Sequence, residues 1–292
     1  MKICISAQTD IGKERTNNED AFVFCPDLTC PDWILNSTKE YIPLGTLGSL
    51  AVIADGMGGA NAGEIASSIA IDTIKKRFVP DKLLMSVSSD LSMNEFLVSV
   101  IKEADNAIRE YISSDPDTIG MGTTIVLLWI INDKAHIAWC GDSRCYFFNI
   151  KTGLKSLTKD HSYVQELVDK GELSAKKAFN HPDGNLITRC LGDMDVLAKP
   201  DILTYCIKPG DTLLLCSDGL CGCCNDKQVE TVLYRKFEDI QKCCSSLVDI
   251  SLDSGGYDNI TIVLMSFIAD NLKEPSLSTM AKMKRRLKCW FG

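Results

Sequence analysis

Apolar residues come along this chain in short runs that stop abruptly at acids, glycines and prolines. KICISAQTD at 2–10 alternates and predicts a strand, and AFVF at 21–24 predicts a second. Residues 26–46 hold Pro26, Pro31, Pro43 and Gly45 and predict a loop or a hairpin tip. SLAVIA at 49–54 predicts a buried strand. GEIASSIAIDTIKKRF places Ile65, Ile69 and Ile74 on one helical face, and a second helix from Met93 to about Ser113 repeats Phe96, Val100, Ala104, Ala107 and Tyr111. TTIVLLWIIN and KAHIAWCGD, joined at Asn132-Asp133, predict a hairpin of half-buried strands, and RCYFFNI continues that sheet. Residues 161–192 predict polar, irregular chain around a short helix, YVQELVDKG. DILTYCI and TLLLCSD, joined by Pro209-Gly210-Asp211, predict another hairpin; two helices follow, and NITIVLMSF closes the sheet. Hairpins with helices in pairs imply an α+β class, with antiparallel sheets covered by helices.

The points where the apolar runs stop are chemically uniform. AVIA ends at Asp55-Gly56 and LLLCS ends at Asp218-Gly219. HIAWCG ends at Asp142, and NITIVLM begins just after Asp258. In an antiparallel sheet the end of one strand lies beside the start of its neighbour, so these carboxylates are expected to share one edge. Clustered carboxylates repel, and burying them unpaired is costly. A divalent cation resolves the conflict, and oxygen-only ligation favours Mg²⁺ or Mn²⁺. Glycine after Asp55 lets the Gly56 carbonyl turn inward as a further ligand. Taken singly, each Asp-Gly also reads as a turn, and Asp142 reads as a cap or an ion-pair partner. Recurrence at four strand ends favours the shared site.

GKERTNNEDAF adds Arg15, Asn18, Glu19 and Asp20 just before the second strand. It reads either as a polar loop with an internal ion pair or as a phosphate grip. An arginine fork binds phosphate bidentately, and the neighbouring acids would orient metal-bound water.

Composition narrows the class. The 292 residues are 45% hydrophobic and 24% charged, enough to bury a core and too apolar for disorder. A formal net charge of -8 argues against general nucleic-acid binding. Lys282, Lys284, Arg285, Arg286 and Lys288 are concentrated in residues 280–292, which hold no acid; removing those five leaves -13 on the rest. The start, MKICISAQTD, is polar too soon for a signal peptide, and no apolar run reaches the ~20 residues of a membrane span. The 14 cysteines therefore read as reduced thiols of a cytoplasmic protein. Cys221, Cys223 and Cys224 lack the paired spacing of a zinc site. Met280, Met283, Leu287 and Trp290 fall on one helical face of the tail. Such a segment lies on an anionic membrane surface, stays disordered, or docks on its own acidic body. The final CWFG fits a prenylation signal poorly.

RTNNED, DGMGG, GMGTT, GDSR, TRCLG, SDGL and GGYDNIT, in that order, closely resemble the metal-dependent Ser/Thr protein phosphatases of type 2C, with DGMGG pointing to the bacterial branch. The resemblance covers roughly residues 1–268 and leaves 269–292 as a separate tail. It implies a four-layer α-β-β-α sandwich and hydrolysis of phosphoserine and phosphothreonine in proteins, substrates of a Ser/Thr kinase. It also implies a hydroxide bridging two Mn²⁺ or Mg²⁺ ions, without a phosphoenzyme. By resemblance Asp55 bridges both metals, Gly56 contributes its carbonyl to one, and Asp218 and Asp258 hold the other. Glu19 and Asp20 lie in or next to the coordination shell, Arg15 grips the phosphate, and Asp142 with Asp218 holds a third metal. Residues 161–192 match the family's variable flap. Two departures stand out. Met57 replaces a histidine that many eukaryotic members are proposed to use for protonating the leaving group, which leaves water or His161 for that task. Gly222 stands where some relatives place a carboxylate or amide near the third metal. A catalytically weak regulatory member and a two-metal hydrolase of another phosphoester are the alternative readings.

Overall fold

The computed structural model describes residues 1–38, 40–58 and 62–270, and its elements fall on the apolar runs. In chain order they are β1 (Lys2–Asp10), β2 (Asp20–Cys25), β3 (Ile42–Pro43), β4 (Ser49–Met57), α1 (Gly63–Arg77), α2 (Pro80–Ser86), α3 (Asp90–Ser114), β5 (Gly122–Thr123), β6 (Ile125–Ile131) and β7 (Lys134–Cys140). The second half holds β8 (Arg144–Asn149), β9 (Gly153–Ser156), α4 (Tyr163–Asp169), α5 (Ala175–Ala178), β10 (Asp201–Cys206), β11 (Asp211–Cys216), α6 (Asp218–Cys221), α7 (Asp226–Lys236), α8 (Ile240–Asp253) and β12 (Ile260–Ile268). The basic tail, residues 280–292, and its expected membrane contact lie outside the described residues.

One sheet runs β3-β1-β12-β11-β8-β9 and the other β10-β7-β6-β4-β2, with β5 on the end of β4. Burial alternates along the central strands, but both faces are covered. Ala51 and Ile53 of β4 face the second sheet, where they meet Val263, Met265 and Phe267 of β12. Leu50, Val52 and Ala54 face the helices, with Ala66, Ala70 and Ile74 of α1 and Leu97 and Val100 of α3. On the far side Ile262 and Leu264 of β12 pack with Val229 and Leu233 of α7 and Leu247 and Val248 of α8. Three hydrophobic layers thus separate four structural layers, the α-β-β-α sandwich. Phe78 and Phe96 stand edge-on to Trp129 at 5.3 and 5.9 Å, and Trp129 Nε1 donates to Leu47 O at 2.9 Å. Full burial of each such side chain contributes about 1.5–3 kcal/mol.

Several expectations are corrected. Residues of β6 are buried throughout rather than half-buried, because helices cover the face that solvent would otherwise wet. RCYFFNI does not continue the sheet of KAHIAWC: β7 and β8 lie in different sheets, and the chain crosses at Gly141, whose φ is 118°. DILTYCI and TLLLC are likewise not a hairpin, since β10 pairs with β7 while β11 pairs with β8 and β12. A Pro-Gly turn serves a sheet-to-sheet crossing as well as a hairpin, and the local pattern does not distinguish them. β12 is an interior strand between β1 and β11 rather than a closing edge. The buried face of α1 is built from Ala66, Ala70 and Ile74, with Ile65 and Ile69 only partly covered. Small residues let α1 approach the sheet closely. In α3, Tyr111 is exposed, and Ile108 and Ile112 take the buried positions instead. Helix α2, started by Pro80, and the one-turn α6 were not foreseen.

Candidate active site

Strand register brings the acids together. Asp20 opens β2 directly opposite Asp55 near the end of β4. Cys216, the last residue of β11, is paired both with Ile262 of β12 and with Arg144 of β8. Asp218 lies just beyond that end, and Asp258 and Asp142 lie just before the starts of β12 and β8. Both sheets therefore deliver their carboxylates to the same rim.

The electrostatics report how close they are. Burial first, then the charges of Asp20, Asp218, Asp142 and Asp258, push the Asp55 carboxyl well above its usual range. Burial and then Asp258 raise Asp218 to about 6. Burial, then Asp218 and Asp258, raise Asp20 to about 7, against hydrogen bonds that oppose the rise. Asp142 is raised by burial, then by Asp218 and Asp160, and Glu19 is raised chiefly by burial. The Asp218 carboxyl is in hydrogen-bond contact with that of Asp55, an arrangement that requires a proton or a cation between them. Asp20 Oδ1 is buried without a hydrogen-bond partner. Arg15 brings a positive charge to the open side of the cluster: its Nη2 donates to Asp258 Oδ2 at 2.7 Å.

Neighbouring polar groups orient the acids. Ser217 Oγ donates to Asp20 Oδ2 at 2.8 Å and is itself fixed by the Thr261 N–H at 2.9 Å. The Asp55 backbone is held on both sides: its N–H donates to Thr124 Oγ1 at 3.2 Å, and its carbonyl accepts from Thr123 Oγ1 at 2.9 Å. Gly56 N–H donates to Glu19 O at 3.1 Å, and a Cβ at Gly56 would collide with the carbonyls of Gly63 and Glu19. That crowding is the physical need for glycine there. Sequence reasoning missed Ser217, Thr123, Thr124 and Asn259 as organisers of the rim, although each lies within a quoted motif.

His161 sits apart from the rim's open side. It is buried, Gly141 N–H donates to its Nδ1 at 3.1 Å, and its Nε2 lies 3.2 Å from Asp201 Oδ2. Accepting from Gly141 makes Nδ1 the bare nitrogen and puts the proton on Nε2, which faces Asp201 Oδ2 and lies 3.2 Å from Arg189 Nη1 as well. Burial, the largest influence, holds its pKa below the usual value. Cys221 and Cys224 belong to the hydrophobic layer under α7 and α8, with Cys223 partly buried against it.

All-oxygen donors that need a positive charge between them fit a hard divalent cation. Among the described residues no three carboxylate, thiolate or imidazole groups already stand at metal-coordination spacing.

A protein phosphatase 2C signature spans residues 11–260. The chain is 35% identical over 261 residues to the serine/threonine phosphatase stp of Listeria welshimeri, covering 88% of this chain and 93% of that protein. Among solved structures, the S. agalactiae serine/threonine phosphatase superposes with a TM-score of 0.77 at 30% identity, covering 91% of this chain and 99% of that one. The catalytic domain of the phosphatase PstP, in complex with two manganese ions, gives a TM-score of 0.72 at 27% identity, covering 92% and 99%. With the sandwich, the acidic rim and the family signature all on one chain, this protein belongs to the protein phosphatase 2C family, in its bacterial type, and so to the serine/threonine protein phosphatases.

Proposed function

We propose that the rim binds two divalent cations, Mn²⁺ or Mg²⁺, and hydrolyses phosphoserine and phosphothreonine in proteins phosphorylated by a Ser/Thr kinase. Asp55, the Gly56 carbonyl, Asp218 and Asp258 would hold the pair, with Asp55 shared between the two ions. Glu19 and Asp20 would lie in or next to the coordination shell, and Asp142 with Asp218 would offer a third position. When bound, the cations acidify water to make a nucleophile and neutralise charge on the phosphoryl oxygens. Arg15 exchanges Asp258 for the substrate phosphate, holding it by a charge-assisted fork. No side chain is required as a covalent nucleophile, and the nearby thiols of Cys216 and Cys221 are buried. His161 is assigned no proton-donor role, because it is buried and both its nitrogens are engaged by protein partners, Nδ1 by the Gly141 N–H and Nε2 by Asp201 and Arg189. The catalytic unit is residues 1–268, with 269–292 a tail whose basic amphipathic end makes a peripheral contact with an anionic membrane surface.

The observation that carries this reading is the convergence of Asp20, Asp55, Asp142, Asp218 and Asp258 on one rim, where desolvation first and neighbouring acids second raise the Asp20, Asp55, Asp142 and Asp218 carboxyls. A purely structural cluster would be paired with bases. The test is release of phosphate from a phosphothreonine peptide with Mn²⁺, compared with Asp218→Asn. The expected result is activity that chelation removes and that Asp218→Asn lowers by at least about 10³-fold, the scale of losing a transition-state electrostatic partner. Equal activity of the variant would refute the assignment.

A further inference from the structure

Residues 11–19 form the loop that carries Arg15, whose side chain is 49% exposed at its crest. One buried side chain outside the loop spans its two ends. Asn259 Nδ2 donates to Ile11 O and to Asn17 O, each at 2.9 Å, while its Oδ1 accepts the Glu19 N–H at 2.7 Å. Its own backbone N–H donates to Asp258 Oδ1 at 2.8 Å, and Asp258 Oδ2 accepts from Arg15. The circuit is closed: loop start, loop end, metal-site aspartate and phosphate-gripping arginine all meet through this residue. Two donors and an acceptor in one short plane are what a primary amide offers, and no other side chain of that size supplies them. Other ties to the loop exist: Asn18 Nδ2 donates to Thr9 Oγ1 at 2.9 Å, between the end of the loop and the strand that leads into it, while Lys13 N–H to Gly256 O and Asn17 Nδ2 to Glu64 each hold one point; Asn259 alone of these bonds the loop backbone at both ends.

We infer that Asn259 is a positioning residue for phosphate binding, a clasp that holds the Arg15 guanidinium in register with Asp258 before substrate arrives. This rests on the reading of Arg15 as the phosphate ligand. The physical basis is preorganisation. A loop fixed at both ends loses little further freedom when its arginine engages a phosphate, whereas a loosened loop must be ordered at the expense of affinity. The clasp acts on binding through Arg15 and does not touch the reacting atoms, so its loss should be felt in phosphate affinity and KM more than in kcat.

The experiment uses the full, Mn²⁺-loaded chain. Phosphothreonine-peptide kinetics and competitive inhibition by inorganic phosphate are measured for wild type, Arg15→Ala, Asn259→Ala and the double variant. Asn259→Ala should weaken phosphate inhibition and raise KM about 10-fold while kcat stays within about threefold. In the Arg15→Ala background the same change should add less than about twofold, because the group it positions is gone. Losses that multiply in the double variant, or a fall in kcat with phosphate inhibition intact, would overturn the inference. Should Asn259→Ala fail to fold, Asn259→Ser, neutral and too short to reach both loop carbonyls, carries the same expectations. Unchanged phosphate inhibition in Arg15→Ala would instead defeat the reading of Arg15 itself, whatever Asn259 does.

Discussion

Replacing Asp20 with asparagine should make the chelated protein more stable and the metal-loaded protein less responsive. The folded chain holds the Asp20 proton to about pH 7, where an unperturbed carboxyl releases it near 3.8, chiefly because of burial and then because of Asp218 and Asp258. The folded pKa lies above the unfolded one, so its contribution to stability is fully present below the unfolded value. That contribution is lost as pH rises toward 7. A difference of about three pKa units, at ~1.4 kcal/mol each, sets an upper bound near 4 kcal/mol at pH 8. The neighbouring acids share protons with Asp20, so about 2 kcal/mol is a realistic gain for the variant, or a rise in Tm of about 4–8 °C. Asparagine keeps an oxygen for Ser217 Oγ, so the hydrogen bond now made by Asp20 Oδ2 has a replacement. The assay is thermal unfolding with EDTA at pH 4.5 and pH 8, repeated with millimolar Mn²⁺. The gain should be large at pH 8, small at pH 4.5, and reversed or abolished by Mn²⁺, which stabilises wild type by binding the folded state alone. A chelated variant no more stable than wild type at pH 8, or equal Mn²⁺ stabilisation of both, would refute the reasoning.

Arg15→Lys, which trades a fork for a point charge, should raise KM for a phosphopeptide about 10-fold, and an unchanged KM would count against bidentate phosphate contact. Gly219→Ala places a Cβ against the backbone carbonyl of Asn259 and should cost about 2–3 kcal/mol in denaturant unfolding; a neutral result would mean that this turn relaxes freely. Lipid vesicles rich in anionic phospholipid should retain the full chain but not a chain ending at Asp270, by co-sedimentation at low salt, and equal retention of both would end the membrane proposal.

The sequence was most informative where side-chain chemistry and strand termination coincide. Asp55 and Asp218 end apolar runs and Asp258 begins one; antiparallel pairing places Asp218 beside Asp258, while Asp55 joins them only because the two sheets pack face to face. The four-layer architecture followed from the resemblance, and the pattern of hairpins and paired helices agreed with it. Errors clustered at crossings. Gly141 and Pro209-Gly210 were read as positions within one sheet, yet each carries the chain between sheets. For His161 the sequence left water or the imidazole as proton donor, because a lone histidine beside an aspartate does not name its partners. Only the packed structure shows Gly141 N–H and Asp201 occupying its ring.

What the sequence determined alone is therefore the inventory: which segments form strands, which carboxylates stand at their ends, and that an arginine precedes them. Those properties are local, set by backbone period and residue type. Tertiary structure decided how far each carboxyl is pushed from its ordinary pKa, which hydroxyl orients Asp20, and that Asn259 joins a loop more than 240 residues away in sequence. Burial, mutual repulsion and long-range hydrogen bonding depend on distances through space, and the chain fixes those distances only when both sheets close over their common core.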